Sequence, residues 1–280
     1  MSCLSTLGPA LRLGRLSAAL AVLLLLVAAC SSDDKEDTYV ERPVEELYNQ
    51  ALDAMLAGDY AQSARLFDEV ERQHPYSAWA SKAQLMAAFA YYQNNSYDDA
   101  INALDRFIQL HPGNEDVAYA YYLKALSYYE QISDVRRDQK MTELALQSLD
   151  ELTRRFPDSK YARDGTLKMD LARDHLGGKH MEIGRFYQEH GEHLAAINRF
   201  RVVIQNHQTT THVPEALHRL VECYLALGLA EEAQATAAVL GHNFPGSPWY
   251  IDSYALLTGV DLRPEEDQQS WIASVWNSVF

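Results

Sequence analysis

The segment DYAQSARLFDEVERQHP (residues 59–75) returns 37 positions later as SYDDAINALDRFIQLHP (residues 96–112). Tyr60 aligns with Tyr97, apolar residues recur at matching positions, and both segments end in His-Pro. A fixed period of about 20–50 residues is typical of proteins built from stacked repeats. The sequence therefore predicts a repeat architecture.

The same frame recurs three more times along the chain, as LALQSLDELTRRFP (144–157), HLAAINRFRVVIQNHQ (193–208) and LAEEAQATAAVLGHNFP (229–245). Four of the five units end in Pro, which a helix cannot continue through, whereas the fourth has Gln208 at that position. A helix precedes each segment and carries a small residue where two helices are expected to approach closely: Ala51, Ala88, Ala125 and Gly184, with Val221 as the exception.

A helix, a turn and a second helix that ends in Pro resemble the tetratricopeptide repeat (TPR). This resemblance implies an all-α fold, a right-handed TPR solenoid of about five helix-turn-helix repeats. Two irregularities are expected. Residues 132–139 lengthen the turn of the third unit, and an extra helical segment at about 160–176 precedes the fourth. Gly177-Gly178 is predicted to break or kink the helix there.

The N-terminus has the features of a secretory leader, with Arg12 and Arg15 followed by an apolar run that ends at Cys30. Val27-Ala28-Ala29-Cys30 resembles a bacterial lipobox, which implies cleavage after residue 29 and attachment of acyl chains to Cys30. An ordinary signal peptide with an incidental cysteine is the alternative. Residues 30–43 are expected to form an acidic flexible linker. Ser31 after the cysteine favours the outer membrane over the inner one.

Charge and cysteine content exclude several classes of partner. The formal net charge is −15, and it becomes −17 without the leader, whose only charged residues are two arginines. So acidic a chain is not expected to bind nucleic acid or to be held electrostatically on anionic lipid, and acyl chains must supply the membrane anchor. Only Cys223 would remain after cleavage and acylation, so no intramolecular disulfide is expected.

Signatures of catalysis are absent from the sequence, including the GxSxG, GxxxxGK[ST], HExxH and GxGxxG motifs. His190-Gly191-Glu192-His193 offers metal-ligating side chains, but it falls at a helix–helix turn where polar residues are expected anyway. The chain is therefore predicted to be no enzyme and to hold no metal or cofactor other than the lipid on Cys30.

The first helices of TPR units line a concave groove, and their groove-facing positions differ between the two halves of the chain. In units 1 and 2 and the first helix of unit 3 (residues 44–131) these positions are aromatic and aliphatic: Tyr48, Leu52, Met55, Leu85, Phe89, Tyr92, Tyr119, Tyr122, Leu126 and Tyr129. In the fourth unit they are mostly polar: Met181, Arg185, Gln188 and Glu189. The apolar strip suits an extended peptide with apolar side chains. The alternative is that it is buried as core.

A lipobox followed by these five units resembles the BamD/ComL family, lipoproteins of the outer-membrane β-barrel assembly (Bam) machinery. The stretch from His180 to Leu229 resembles the fourth and fifth repeats of that family, and FPDSKYARDG (156–165) resembles its segment after the third. The likeness extends over roughly residues 30–258, most of the chain.

The resemblance implies a lipid-anchored protein on the periplasmic face of the outer membrane, with BamA and other Bam lipoproteins as partners. It implies that the C-terminal repeats (132–258) bind a POTRA domain of BamA, and that the N-terminal repeats receive unfolded outer-membrane protein precursors. Arg199 falls where the family has an arginine that pairs with an acidic residue of POTRA. The alternative for Arg199 is a helix-surface residue in a weak ion pair.

The last residues, 259–280, combine an acidic linker with an apolar tail, SWIASVWNSVF (270–280). Its apolar side chains recur at helical spacing. The tail either caps the last repeat, as solenoids require, or engages another subunit or the membrane interface.

Two other functions compete with a Bam component. A TPR lipoprotein that serves as a scaffold for peptidoglycan maintenance or cell division would share every feature except the likeness at 180–229. A cell-wall hydrolase would need an acidic residue in an apolar pocket, and the sequence contains no sign of one.

Overall fold

Each repeat forms two helices that pack as a hairpin, as the period predicts. A computed structural model describes residues 41–260, in which 11 helices and no strand occur. They are α1 (Val44–Leu56), α2 (Tyr60–Gln73), α3 (Ala80–Gln93), α4 (Tyr97–Leu110), α5 (Val117–Tyr129), α6 (Lys140–Arg155), α7 (Lys160–Glu189), α8 (His193–Asn206), α9 (Val213–Ala226), α10 (Ala230–Asn243) and α11 (Pro248–Thr258). The predicted all-α stack of five helix pairs is confirmed, with α11 following the fifth pair.

Short polar and glycine-containing turns set the ends of the helices. Asp59 accepts a hydrogen bond from the backbone N–H of Gln62 (3.0 Å) and so caps α2, and Ser159 caps α7 in the same way. The three-residue turns within the repeats place their middle residue at positive φ. This residue is glycine in three repeats (58, 191 and 228) and Asn95, with φ 59°, in the second.

The small residue of each first helix permits the close approach of the second helix, as expected. Ala51, Ala88 and Ala125 are fully buried. At Gly184 the approach is so close that a Cβ atom there would lie 2.4 Å from Cε1 of Phe200 in α8. Only glycine fits beneath that ring without movement of the backbone or of the ring.

The predicted break at Gly177-Gly178 is wrong, because α7 runs unbroken from Lys160 to Glu189. This helix joins the extra segment before the fourth repeat to the first helix of that repeat. Both glycines are buried where the α8–α9 loop crosses α7. A Cβ on Gly178 would lie 3.1 Å from Nε2 of His212, and one on Gly177 would lie 3.3 Å from Oγ1 of Thr210. The glycines therefore serve close packing.

The lengthened turn of the third unit is present between α5 and α6, where hydrogen bonds of a buried side chain hold it. Nε2 of Gln139 donates to the carbonyl oxygens of Asp134 (3.1 Å) and Arg137 (3.2 Å), while Oε1 of Gln139 accepts from Thr142 (2.9 Å). The inserted residues thus form an ordered loop against the start of α6.

Several sequence predictions fall on residues that the structure does not describe. These are the leader (1–29), the lipid site at Cys30 with most of the acidic linker, and the tail after residue 260. They stay predictions, as do the exact domain boundaries. Among the helices between residues 41 and 260, none combines the length and the apolar composition that crossing a bilayer requires.

Candidate functional site

Five tyrosine rings from four helices meet in the N-terminal half of the stack. This tyrosine cluster consists of Tyr92 (α3), Tyr97 (α4), Tyr119 and Tyr122 (α5) and Tyr161 (α7). Tyr122 stacks on Tyr161 with ring centroids 5.1 Å apart, Tyr119 lies 5.4 Å from Tyr161, and Tyr92 lies 5.8 Å from Tyr97. All five side chains are partly exposed. The cluster is therefore an accessible aromatic surface.

Carboxylates orient two of the phenols. The hydroxyl of Tyr122 donates to Oδ2 of Asp164 (2.6 Å), and that of Tyr92 donates to Oε1 of Glu130 (3.4 Å). Burial raises the pKa of Tyr92 to about 12, and the charge of Glu130 adds to this. The pKa of Tyr119 is likewise raised to about 12. Burial is the largest cause, and the neighbouring phenols of Tyr161 and Tyr92 add to it. Tyr92 and Tyr119 thus remain neutral at any physiological pH.

The start of α7 supplies residues that sequence reasoning missed. Tyr161, Asp164 and Lys168 are spaced i, i+3, i+7, so they share one face of the helix. Nζ of Lys168 lies 5.1 Å from the ring centroid of Tyr129 and 3.6 Å from Oδ2 of Asp164. The spacing was a readable signal, but nothing in it showed that this face would meet α5.

Two predicted groove residues are in the wrong place for ligand contact. Tyr48 is only 4% exposed, with its ring edge-on to Phe67 (5.2 Å between centroids) and 4.8 Å from Trp79. Leu85 is 7% exposed and belongs to the core that includes Leu104. The prediction that these two side chains are exposed in the groove is therefore wrong, because neighbouring helices cover that side of α1 and α3.

The other predicted groove residues are partly buried. Phe89 packs against the same core as Tyr92 and Tyr119, so it lies beside the tyrosine cluster. Leu52 and Met55 pack on a separate core around α1 and α2, and Leu126 is partly buried on α5. The structure therefore brings Tyr92, Tyr119 and Tyr122 together and leaves the α1 residues apart from them.

The polar face predicted in the fourth unit is engaged in a network within the chain. Nη1 of Arg185 (α7) contacts both carboxylate oxygens of Glu215 (α9) at 2.8 and 3.0 Å, and its Nη2 contacts Glu182 at 2.6 Å. Gln188 donates to Glu222 of α9 at 2.8 Å. Met181, also expected on this face, is fully buried. Arg185 and Gln188 thus connect two repeats, while Glu189 is exposed.

Arg199 lies on α8, partly exposed, and within residues 41–260 no carboxylate forms an ion pair with it. The expected alternative, a weak pair along its own helix, is therefore not found among the described residues. The charge of Arg199 also acts on His180 of α7. Burial is the largest cause that lowers the pKa of His180, followed by the charge of His207 and then that of Arg199.

A concave cavity of about 620 Å³ lies between the 130–139 turn and the second half of α7. Its lining includes the cations Arg136 and Lys179, the anion Glu182 and the ring of Phe186, which is 56% exposed. Positive and negative side chains both line it, so the cavity selects for neither an anionic nor a cationic ligand.

His190, at the α7–α8 turn, packs locally. Nδ1 of His190 lies 2.7 Å from the carbonyl oxygen of Phe186, and the two rings are 4.2 Å apart. Over the described part of the chain, no three His, Cys, Asp or Glu side chains converge as a metal site would require.

Comparison with known proteins identifies relatives that match most of this chain. The profile of the YfiO family, described as outer membrane lipoprotein, matches residues 40–240. A protein of Caulobacter vibrioides named outer membrane protein assembly factor BamD is 51% identical, covering 90% of this chain and 84% of that protein.

Two further relatives bear the same name. That of Rickettsia prowazekii is 45% identical and covers 88% of this chain and 98% of its own length, and that of Neisseria meningitidis serogroup A is 35% identical over 82% and 91%. Together with the repeat fold, these matches show that the chain belongs to the YfiO/BamD family of outer membrane lipoproteins.

Proposed function

We propose that this chain is a lipid-anchored, non-catalytic component of the outer-membrane protein assembly (Bam) complex. It binds unfolded β-barrel precursors at the tyrosine cluster and a POTRA domain of BamA at the α8 surface that contains Arg199. The relatives named as assembly factors and the lipoprotein family support this function. The partners and the lipid on Cys30 come from the family resemblance and the lipobox.

The tyrosine cluster is the observation that carries the substrate role. A barrel precursor presents extended segments in which apolar side chains alternate with polar ones. Partly exposed tyrosines give such segments apolar contact area at low entropic cost, while their hydroxyl oxygens accept hydrogen bonds from backbone N–H groups of the peptide. Because rings from α3, α4, α5 and α7 contribute, the surface spans several residues of a bound strand.

The double variant Tyr92→Lys and Tyr122→Lys tests this role. Each new ammonium lies near an acid of the native site, Glu130 or Asp164, so the fold is expected to persist. Photo-crosslinking to a precursor peptide that ends in an aromatic residue should fall at least tenfold, with an unchanged circular dichroism spectrum. Tyr76→Lys, at a fully exposed tyrosine outside the cluster, is the matched control. Crosslinking of the double variant at the wild-type level would contradict the assignment of the substrate site to the tyrosine cluster.

Arg199→Glu tests the partner surface. Reversal of this charge should repel a partner carboxylate and reduce co-purification of BamA from solubilised membranes at least fivefold. Arg201→Glu, an exposed position on the same helix, controls for net charge. Equal recovery of BamA with wild type and Arg199→Glu would contradict the assignment.

The side chains with displaced pKa values support a scaffold role over catalysis. Asp68 has its pKa raised by burial, and it accepts a hydrogen bond from Tyr91 between the first two repeats. Glu222 has its pKa lowered within the network of α7 and α9. Both groups hold neighbouring repeats together, which is a structural use of a displaced pKa.

A further inference from the structure

The final helix, α11, begins like the first helix of another repeat. FPGSPWYIDS (244–253) aligns with HPYSAWASKA (74–83), which leads into α3. Ser247 caps α11, and Ser253 is fully buried, like its counterpart Ala83. By sequence and by burial, α11 is the first helix of a sixth repeat.

Within residues 41–260, one face of α11 lacks the cover that other first helices receive. At the 37-residue period, Tyr254 corresponds to Leu217 of α9 and Thr258 corresponds to Val221. Leu217 and Val221 are 5% and 0% exposed, and they share a core cluster with α10, the second helix of their repeat. Tyr254 is only partly buried and Thr258 is exposed. The open face of α11 is therefore the one that a second helix covers elsewhere.

The chain that follows α11 carries the pattern of a second helix. In each repeat, three buried residues of the second helix are spaced i, i+4, i+7: Ser63, Phe67 and Val70 in α2; Ala100, Leu104 and Phe107 in α4; Ala145, Leu149 and Leu152 in α6; Ala196, Phe200 and Val203 in α8; and Ala233, Ala237 and Leu240 in α10. Ile272, Trp276 and Val279 have this spacing, with isoleucine at the usually small position.

The connection between the two segments is compatible with a hairpin. Residues 259–269 separate α11 from the segment 270–280, and the third repeat already holds ten residues between α5 and α6. A short tether also raises the local concentration of a segment to the millimolar range, which favours docking on the same chain over docking on another molecule.

We propose that residues 270–280 form the second helix of a sixth repeat, docked on the Tyr254 and Thr258 face of α11 in the same chain. Trp276 takes the place that Phe200 holds in the fourth repeat. The segment thus supplies the end cap that stacked repeats require. This inference does not depend on the proposed function.

Photo-crosslinking tests the docking directly. Benzoylphenylalanine replaces Trp276 in the full-length lipidated chain, purified in detergent. The expected product is an intramolecular crosslink between residue 276 and the 244–260 segment, identified by mass spectrometry. The same group at Ser274, on the opposite side of the predicted helix, should yield at least fivefold less of it. A crosslink to a second copy, to lipid or detergent, or to nothing would overturn the proposal.

Hydrogen exchange provides a second measurement. Trp276→Asp in the full-length chain should accelerate amide exchange in α11 at least fivefold relative to Ser274→Asp, and it should leave α1–α4 unchanged. Unaltered exchange in α11 would contradict docking. The Tyr92 and Tyr122 variants probe helices far from α11 along the chain. The proposed substrate site and the proposed docking of residues 270–280 can therefore be contradicted independently of each other.

Discussion

Among single residues, Glu222 shows how a surface charge becomes part of the fold. It accepts a hydrogen bond from Gln188 of α7 and lies 2.9 Å from Nη1 of Arg219 and 3.4 Å from Nε2 of His218. Burial alone would raise the pKa of this carboxyl. The hydrogen bonds from His218 and Gln188 and the charges of His218 and Arg219 outweigh it and lower the pKa to about 2.

This arrangement predicts a pH-dependent contribution to stability. Because the folded pKa lies below the ordinary value of 4.5, the contribution is complete above about pH 4.5 and declines as the pH falls toward 2. Glu222→Gln should lower the free energy of unfolding by about 2 kcal/mol at pH 7, and its difference from wild type should shrink by pH 3. Urea titrations at both pH values measure this.

Glu231→Gln, at an exposed position of α10, is the control and should differ little from wild type at either pH. If the Glu222 variant lost the same free energy at pH 3 as at pH 7, its effect would come from packing and not from charge.

At the scale of one element, α7 joins the two halves of the chain. Its first part brings Tyr161 and Asp164 to the tyrosine cluster, and its last part carries Arg185 into the network with α9. Between them, Gly177 and Gly178 lie under the α8–α9 loop. Glycine normally costs about 1 kcal/mol in a helix, so this pair is explained by the close approach of the loop.

Gly178→Leu should therefore destabilise the protein despite the better helix propensity of leucine. The added side chain collides with the ring of His212, and overpacking of this kind costs about 1–3 kcal/mol. Thermal and urea unfolding measure the loss. Gly113→Leu, at a glycine with no neighbour within 4 Å of its Cβ position, should change stability far less. A gain in stability for Gly178→Leu would show that the loop is not held there.

For the whole molecule, contacts are local along the chain. Within residues 41–260, every substantial helix–helix contact joins helices no more than two places apart in the order α1 to α11. Stacked repeats of this kind gain stability from each unit and from its nearest neighbours. Damage to one interface should accordingly stay near it.

Gly184→Ala tests this locality. The new methyl group would lie 2.4 Å from the ring of Phe200, so the α7–α8 contact must shift. Amide exchange should accelerate in the second half of α7 and in α8 and α9, while α1–α4 exchange as in wild type. Uniform acceleration from α1 to α11 would instead mean that the stack unfolds as a single cooperative unit.

Sequence periodicity was sufficient to predict the helix pairs, the turns within them and the close approach of helices at Ala51, Ala88 and Gly184. These features depend on local chemistry: a turn glycine at positive φ, a proline after a helix, and a small residue beneath a ring. Each can be recognised within about 40 residues of chain, which is why five units aligned without any structure.

Which ring faces a ligand depended on packing between units. Tyr48 and Tyr122 look alike in the repeat pattern, yet Trp79 and Phe67 cover the first, while the second stacks on Tyr161 from a helix outside the pattern. Likewise, two adjacent glycines suggested a break until the loop that crosses them was seen. The five repeats were therefore readable from the order of the amino acids alone. Which faces stay open became clear only from the folded arrangement, because the exposure of a side chain depends on which neighbouring helices cover it.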